Sequence, residues 1–380
     1  MSSFARGQRT LQSSARGYIL PPVPLHSFIQ PFSTSPTQTG PSSQSPPEQH
    51  SKSSTTPPET VTVPSAQDIN APVSTFPADL NLPPSISASA TTPDKLQRYI
   101  ALGRAYLTFY KTGLKNVFRN YRASLPLRAR LGLPAYLPIS PPRKISAPET
   151  NVANAFRDQS HHLGRGQFQL VRRSARDVRR MIPFTLILIV CGEFTPLIVP
   201  IVGSAITPAT CRVPGQIDKE RGAASKRKYS ALRAHALAAS GASASAGPVQ
   251  AGSNEELALL VEFAQPLWAV RADAGAVLRA SAVFGLVKRH DRFAGAALAG
   301  LVYRPRLRRY LEYLAIDDGM IRSGGGVDAM SAAEVRVACD ERGAGDFVSM
   351  AGHEKAESLE RQWLKKWLVV RGGKKIAGQV

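Results

Sequence analysis

One acidic residue stands inside a long apolar stretch. Residues 181–206 read MIPFTLILIVCGEFTPLIVPIVGSAI, and Glu193 is the one formal charge among them. A carboxylate near a bilayer centre costs about 2.5–3.5 kcal/mol on the gentler insertion scales, so it is protonated, paired, or turned to water or a partner helix. Two readings stand: proton or cation exchange at Glu193, or a protonated acid tolerated in a plain anchor. Exchange requires a homo-oligomer or another helix, because one segment encloses no pathway. Upstream, Asp177 and Arg180 are spaced to pair across one helical turn. They either set the geometry at the headgroups or form a surface pair worth a few tenths of a kcal/mol.

Other chemistry-bearing residues are fewer. Arg306, Arg308 and Arg309 form a basic face that suits RNA phosphates or is simply solvated. Asp317 and Asp318 are adjacent, so on a helix they point about 100° apart. That spacing predicts helix-end electrostatics or a turn rather than a metal pair. The Gly324-Gly325-Gly326 run lacks the Lys-Ser/Thr of a phosphate loop and reads as a flexible turn. The seven histidines, His161-His162 included, show no metal-ligand spacing, and three scattered cysteines make no disulfide framework. No nucleophile–base pair stands out. The expectation is a protein with no cofactor and no catalytic site.

The elements that position these residues can be read from pattern. The net charge of +21 implies an anionic partner such as RNA, a ribosome surface or acidic lipid. Residues 181–206 exceed the ~20 apolar residues that span a bilayer as a helix. They are preceded by Arg172, Arg173, Arg176, Arg179 and Arg180, and followed by Arg212, Lys219, Arg221 and the 226–228 basic cluster. This predicts a single transmembrane helix, with a buried core helix as the alternative favoured by Pro183, Pro196 and Pro200. Positive charge on both sides leaves the orientation unread.

Residues 1–35 carry Arg6, Arg9 and Arg16 and no acid, the composition of a mitochondrial transit peptide or of an ordinary tail. Residues 36–92, rich in Ser, Thr and Pro, are expected to be disordered. Residues 93–180 are expected to form a basic helical pre-membrane region. Its first helix, capped by Asp94, runs to about Ala123 with Leu96, Tyr99, Ile100, Leu107, Tyr110, Leu114, Val117 and Phe118 at helical spacing. Its basic residues suit an anionic membrane surface or a solvated face. Residues 124–150 read as an extended connector, and 151–180 as one or two helices broken at 164–166.

Residues 215–372 are expected to form an all-helical domain, so the fold class is mainly α. A basic helical stem covers 213–240 and a small-residue linker 241–252. Ser253–Glu256 and Ser331–Glu334 have capping-box spacing. A kink is expected at Pro266, a helix beginning at Pro305, a stop at Gly343, and a last helix with Leu359, Trp363, Trp367 and Val370 on one side, ending at Gly372.

Three stretches together resemble the mitochondrial LETM family of leucine-zipper and EF-hand transmembrane proteins. The first is DVRRMIPF (177–184), similar to the family's D-x-x-R-x-x-P-F pattern, with Glu193 and Pro196 beyond it. The others are LRRYLEYLAIDDGMI (307–321) and GGGVDAMSAAEVRVACDERG (324–343) with the helix that follows. The resemblance covers about residues 95–370. It implies an inner-membrane protein with a helical, 14-3-3-like ribosome-binding domain in the matrix. The implied partners are the mitochondrial ribosome and inner-membrane lipid. The implied roles are potassium/proton homeostasis and support for membrane insertion of organelle-encoded proteins. No D-x-D-x-D-G loop is present in these residues, and no zipper and EF-hand tail follows the resembling stretches, so a short form of the family is expected. The alternatives are a nucleic-acid binder, because residues 327–370 resemble SAP-type modules, and a plain structural anchor.

Overall fold

The computed structural model describes residues 64–65, 67–85, 91–134, 163–192, 207–240, 249–291 and 295–372. Helices carry nearly all of the order, and no strand occurs among the described residues. The described residues include, ahead of the first long helix, a strap at 67–85 with one 3-10 turn at Val73–Thr75. Helix α1 is Thr92–Arg130. Its start follows from local chemistry: Pro93 occupies the first turn, and the Asp94 carboxylate accepts the Thr91 N–H at 3.3 Å. Helix α2 is Arg165–Cys191, followed by a 3-10 turn at Ala209–Cys211 and by α3, Pro214–Ser240.

The C-terminal helices are shorter. They are α4 (Asn254–Phe263), α5 (Pro266–Arg271), α6 (Ala274–Val283), α7 (Gly295–Leu298) with a π-helical turn at Ala299–Tyr303, α8 (Arg304–Ser323), α9 (Ala332–Glu341) and α10 (Phe347–Arg371). Pro266 separates α4 from α5 as the sequence predicts. Ser253 Oγ accepts Glu256 N at 3.1 Å, and Ser331 Oγ accepts Glu334 N at 3.4 Å, so both cap positions are as read. The glutamates of the two boxes do not fold back onto their own caps. Glu256 accepts Gly252 N at 2.6 Å and pairs with Lys228 of α3. Glu334 is taken by arginines of α2.

Two apolar clusters form the interior. The larger gathers Leu127 and Leu131 from the end of α1, Phe168 and Val171 from the start of α2, and the inward faces of α3 to α6 and α8 to α10, with Trp363 and Trp367 buried in it. The smaller joins Phe109 and Tyr110 of mid-α1 to Phe184 of late α2 and to Cys211 and Val213. The end of α1 meets the start of α2, and its middle meets the end of α2. The two helices therefore run antiparallel.

Three expectations need correction. First, α1 does not stop near Ala123. It runs through Pro126 to Arg130, because Leu127 and Leu131 find a core while Pro126 stays on the outside. The proline ring and lost donor are accommodated there; the remainder of the expected connector, 135–150, lies outside the described residues. Second, residues 67–85 are an ordered strap, although their composition reads as disordered. A segment too polar to build a core can still dock on one. Ile69 enters the larger cluster, and Asn70 bridges Ala329 O (3.0 Å) and Ser331 N (2.8 Å).

Third, no helix among the described residues is long and apolar enough to cross a membrane. The expected transmembrane helix began at Met181, but that residue lies inside α2, whose first half is arginine-rich and packed against protein. The helix ends at Cys191, and Gly192 takes a φ of 52°, a left-handed conformation that closes helices. Residues 193–206 lie outside the described residues, as do the expected transit peptide (1–35), residues 36–63 of the expected linker, and 151–162.

Candidate functional site

The arginines before residue 181 read in the sequence as a membrane flank. In the structure, several of them are a joint. Arg165, at the first position of α2, is buried. It donates to Asp317 Oδ1 of α8 (2.8 Å), to Glu334 Oε2 of α9 (2.8 Å) and to Ile69 O of the strap (3.0 Å). Two turns on, Arg173 grips both oxygens of the same Glu334 at 2.7 and 2.9 Å. Arg172 pairs with Glu341 at 2.6 Å and stacks 3.5 Å over the Tyr313 ring. Gln169 adds a hydrogen bond to Asp317 Oδ1 at 2.8 Å.

Asp317 and its neighbour Asp318 are held from the C-terminal side. Arg342, at the C-terminal end of α9, reaches Asp317 Oδ2 (2.8 Å) and Asp318 Oδ1 (2.6 Å). Arg371 of α10 takes Asp318 Oδ2 at 2.8 Å. Asp317 and Asp318 thus sit in mid-helix, buried and ion-paired, which corrects the expected helix end or turn. About 100° between them lets Asp317 serve α2 and α9 while Asp318 serves α9 and α10. Burial alone would raise the Asp317 carboxyl; the Arg165 and Arg342 guanidinium groups outweigh it and hold it well below the usual carboxylate range. Glu341, raised by burial and lowered chiefly by Arg172, ends at about 2. These acids stay ionised and shared among guanidinium groups, so they fix helix positions. No group of residues able to hold a metal ion occurs among the described residues.

The expected pair upstream of the apolar stretch does not form. Asp177 is buried and accepts the Ala209 amide at 2.8 Å, tying α2 to the turn before α3. Burial pushes its carboxyl up. Among the described residues Arg180 makes no ion pair with it. Pro183 lies within α2, partly exposed. Glu193 and Pro196 lie outside the described residues. Beyond the Asp177 contact, α2 turns apolar and exposed: Ile182, Leu186, Ile189 and Val190 face outward, the last at 83%.

The basic face on α8 is where the sequence puts it. Arg306, Arg308 and Arg309 are all exposed, off the buried line of Leu307, Leu311 and Leu314. Arg304 is not part of that face. It donates to the carbonyls of Ala269 (2.6 Å), Val270 (2.6 Å) and Ala272 (2.8 Å), closing the end of α5 and fixing the start of α8. Sequence reading missed the apolar residues beside these arginines. Leu301 (82% exposed) and Val302 lie on the π-helical turn, and Leu267 and Val270 lie exposed on α5. A π turn inserts one residue into the helical register, so a 3.6-residue period places Leu301 and Val302 wrongly. The adjacency of two large apolar residues to an arginine run is the only signal that the sequence offers.

Comparisons with known proteins divide the chain in two. Residues 94–265 match the pentamidine resistance factor domain, and residues 296–379 match the LETM1-like ribosome-binding domain. No curated protein and no solved structure matches the chain. The first match runs from α1 to the end of α4; the second holds α8, α9 and α10, with the exposed arginines and all four carboxylates of the joint, Asp317, Asp318, Glu334 and Glu341. The chain thus carries a LETM1-like ribosome-binding domain over residues 296–379, behind a pentamidine resistance factor domain.

Proposed function

We propose that this protein holds mitochondrial ribosomes at the inner membrane through the outer face of α8, as a binding protein without a catalytic step. The observation that carries the reading is the ribosome-binding domain match over residues 296–379, with Arg306, Arg308 and Arg309 exposed within it. Ribosomal RNA supplies phosphates to the arginines, and Leu301 and Val302 supply an apolar contact beside them. Membrane attachment runs through residues 181–206, whose described part ends in an exposed apolar face. The ribosome-binding domain faces the matrix, where proteins made in the organelle are handed to the membrane.

The test is co-sedimentation of the full chain with mitochondrial ribosomes across a salt series. Binding should fall steeply as salt rises. Replacing the three arginines with glutamine should weaken it and flatten the log–log salt slope by about one for each phosphate no longer neutralised. No sedimentation at low salt removes this function.

Potassium/proton homeostasis is the second part of the proposal, and it rests on Glu193 in a self-associated form. If Glu193→Gln leaves matrix potassium handling unchanged, that part is withdrawn and ribosome binding stands.

A further inference from the structure

Helix α1 carries nine basic residues and one acid, Asp94. Its buried residues Phe109, Gly113, Val117, Asn120, Ser124 and Leu127 share one face. At 100° per residue, Leu96, Ile100, Leu107 and Phe118 fall within about 40° of one another on a different face. Each of the four is at least 50% exposed. Gly103 lies in the same row, with nothing within 4 Å of where a Cβ would stand. Beside this row, another 40–80° round the helix, run Arg104, Lys111, Lys115 and Arg122, all exposed.

A row of large apolar side chains edged by a parallel row of cations is the pattern of a helix lying in a bilayer surface. The row extends over about 33 Å of helix axis, so the contact is side-on. End-on insertion is disfavoured by Asp94, Lys95 and Arg98 at the tip. The antiparallel packing sets the exposed apolar end of α2 beside this half of α1.

We propose that the N-terminal half of α1 lies flat in the surface of an anionic bilayer. Leu96, Ile100 and Leu107 enter the acyl boundary, and Arg104, Lys111 and Lys115 meet the lipid phosphates. A protein partner covering the same row would need acidic side chains opposite the cations. An acidic lipid surface supplies that charge along the whole row. The inference goes beyond the ribosome-binding reading and shares with it only the presence of a membrane.

The test uses the full chain with Gly103→Cys carrying an environment-sensitive fluorophore, in vesicles of phosphatidylcholine with 20 mol% cardiolipin as the probe surface. The expected result is flotation, with label emission quenched by a lipid-borne nitroxide and shielded from aqueous iodide. In a second variant, R104Q/K111Q/K115Q, the preference for anionic over neutral vesicles should drop about fivefold per charge removed. Flotation with the label open to iodide overturns the α1 contact and leaves attachment through 181–206 intact. A label shielded from both quenchers overturns it in favour of a protein cover. Failure to float overturns both.

Discussion

At the scale of single residues, the charge that matters most for folding is inside. Asp317 is shared by Arg165, Arg342 and Gln169, and Glu334 by Arg165 and Arg173. Removing one partner of a buried pair strands the others and costs about 3–5 kcal/mol. Asp317→Asn should therefore lower the urea midpoint sharply, while Arg306→Gln, fully outside, should change stability by no more than ~0.5 kcal/mol. The pH dependence has a definite sign. Glu341 is held at about 2 in the folded chain, against about 4.3 when unfolded. A depressed carboxyl stabilises fully above its unfolded value, and that stabilisation is lost as pH falls through about 2. Urea midpoints at pH 7 and pH 3 should differ in the native chain, and differ less in Glu341→Gln. An equal drop in both would mean that Arg172 does not hold this acid.

At the scale of elements, helix starts were legible and helix partners were not. Ser253, Ser331 and Pro305 open helices as predicted, because a cap depends on three or four consecutive residues. The far use of Glu256 and Glu334 depends on α3 and α2, which lie far away in sequence, and no local pattern encodes it. The basic face on α8 was legible because exposure is the complement of a buried stripe; the joint was not, since an arginine reads as surface by default. The strap is the clearest case. Its docking depends on Gly166, whose N–H donates to Asp68 O at 2.8 Å, and a Cβ at Gly166 would stand 2.3 Å from Asn70 O. Backbone cannot give way cheaply, so Gly166→Ala should cost about 1–3 kcal/mol and free the strap. Faster hydrogen exchange at residues 69–76 than in the parent chain would register that release. Unchanged exchange there would mean that the strap does not depend on this close approach.

At the scale of the whole molecule, α2 belongs to two tasks. Its first three turns carry the arginines that bind α8 and α9; near its end Leu186, Ile189 and Val190 are exposed. The large apolar cluster likewise does not stop at the start of the C-terminal helices, since Leu127, Phe168 and Val171 belong to it alongside Leu311 and Trp367. The residues matched as a ribosome-binding domain begin at 296, so that piece alone lacks Arg165, Arg173 and the apolar side chains of α1, α2 and α4. Expressed by itself, 296–379 would leave Glu334 without both of its arginines and Asp317 without one, and expose the inner faces of α8 and α10. A chain from 64 to 372 should unfold in one cooperative step, with Trp363 and Trp367 fluorescence and far-UV circular dichroism coincident. The 296–379 piece should show no cooperative step. Sharp, two-state unfolding of the short piece would mean that the joint is dispensable to the ribosome-binding face. With the joint required, α2 and the C-terminal helices move as one body, and the orientation of α2 sets the orientation of Arg306, Arg308 and Arg309.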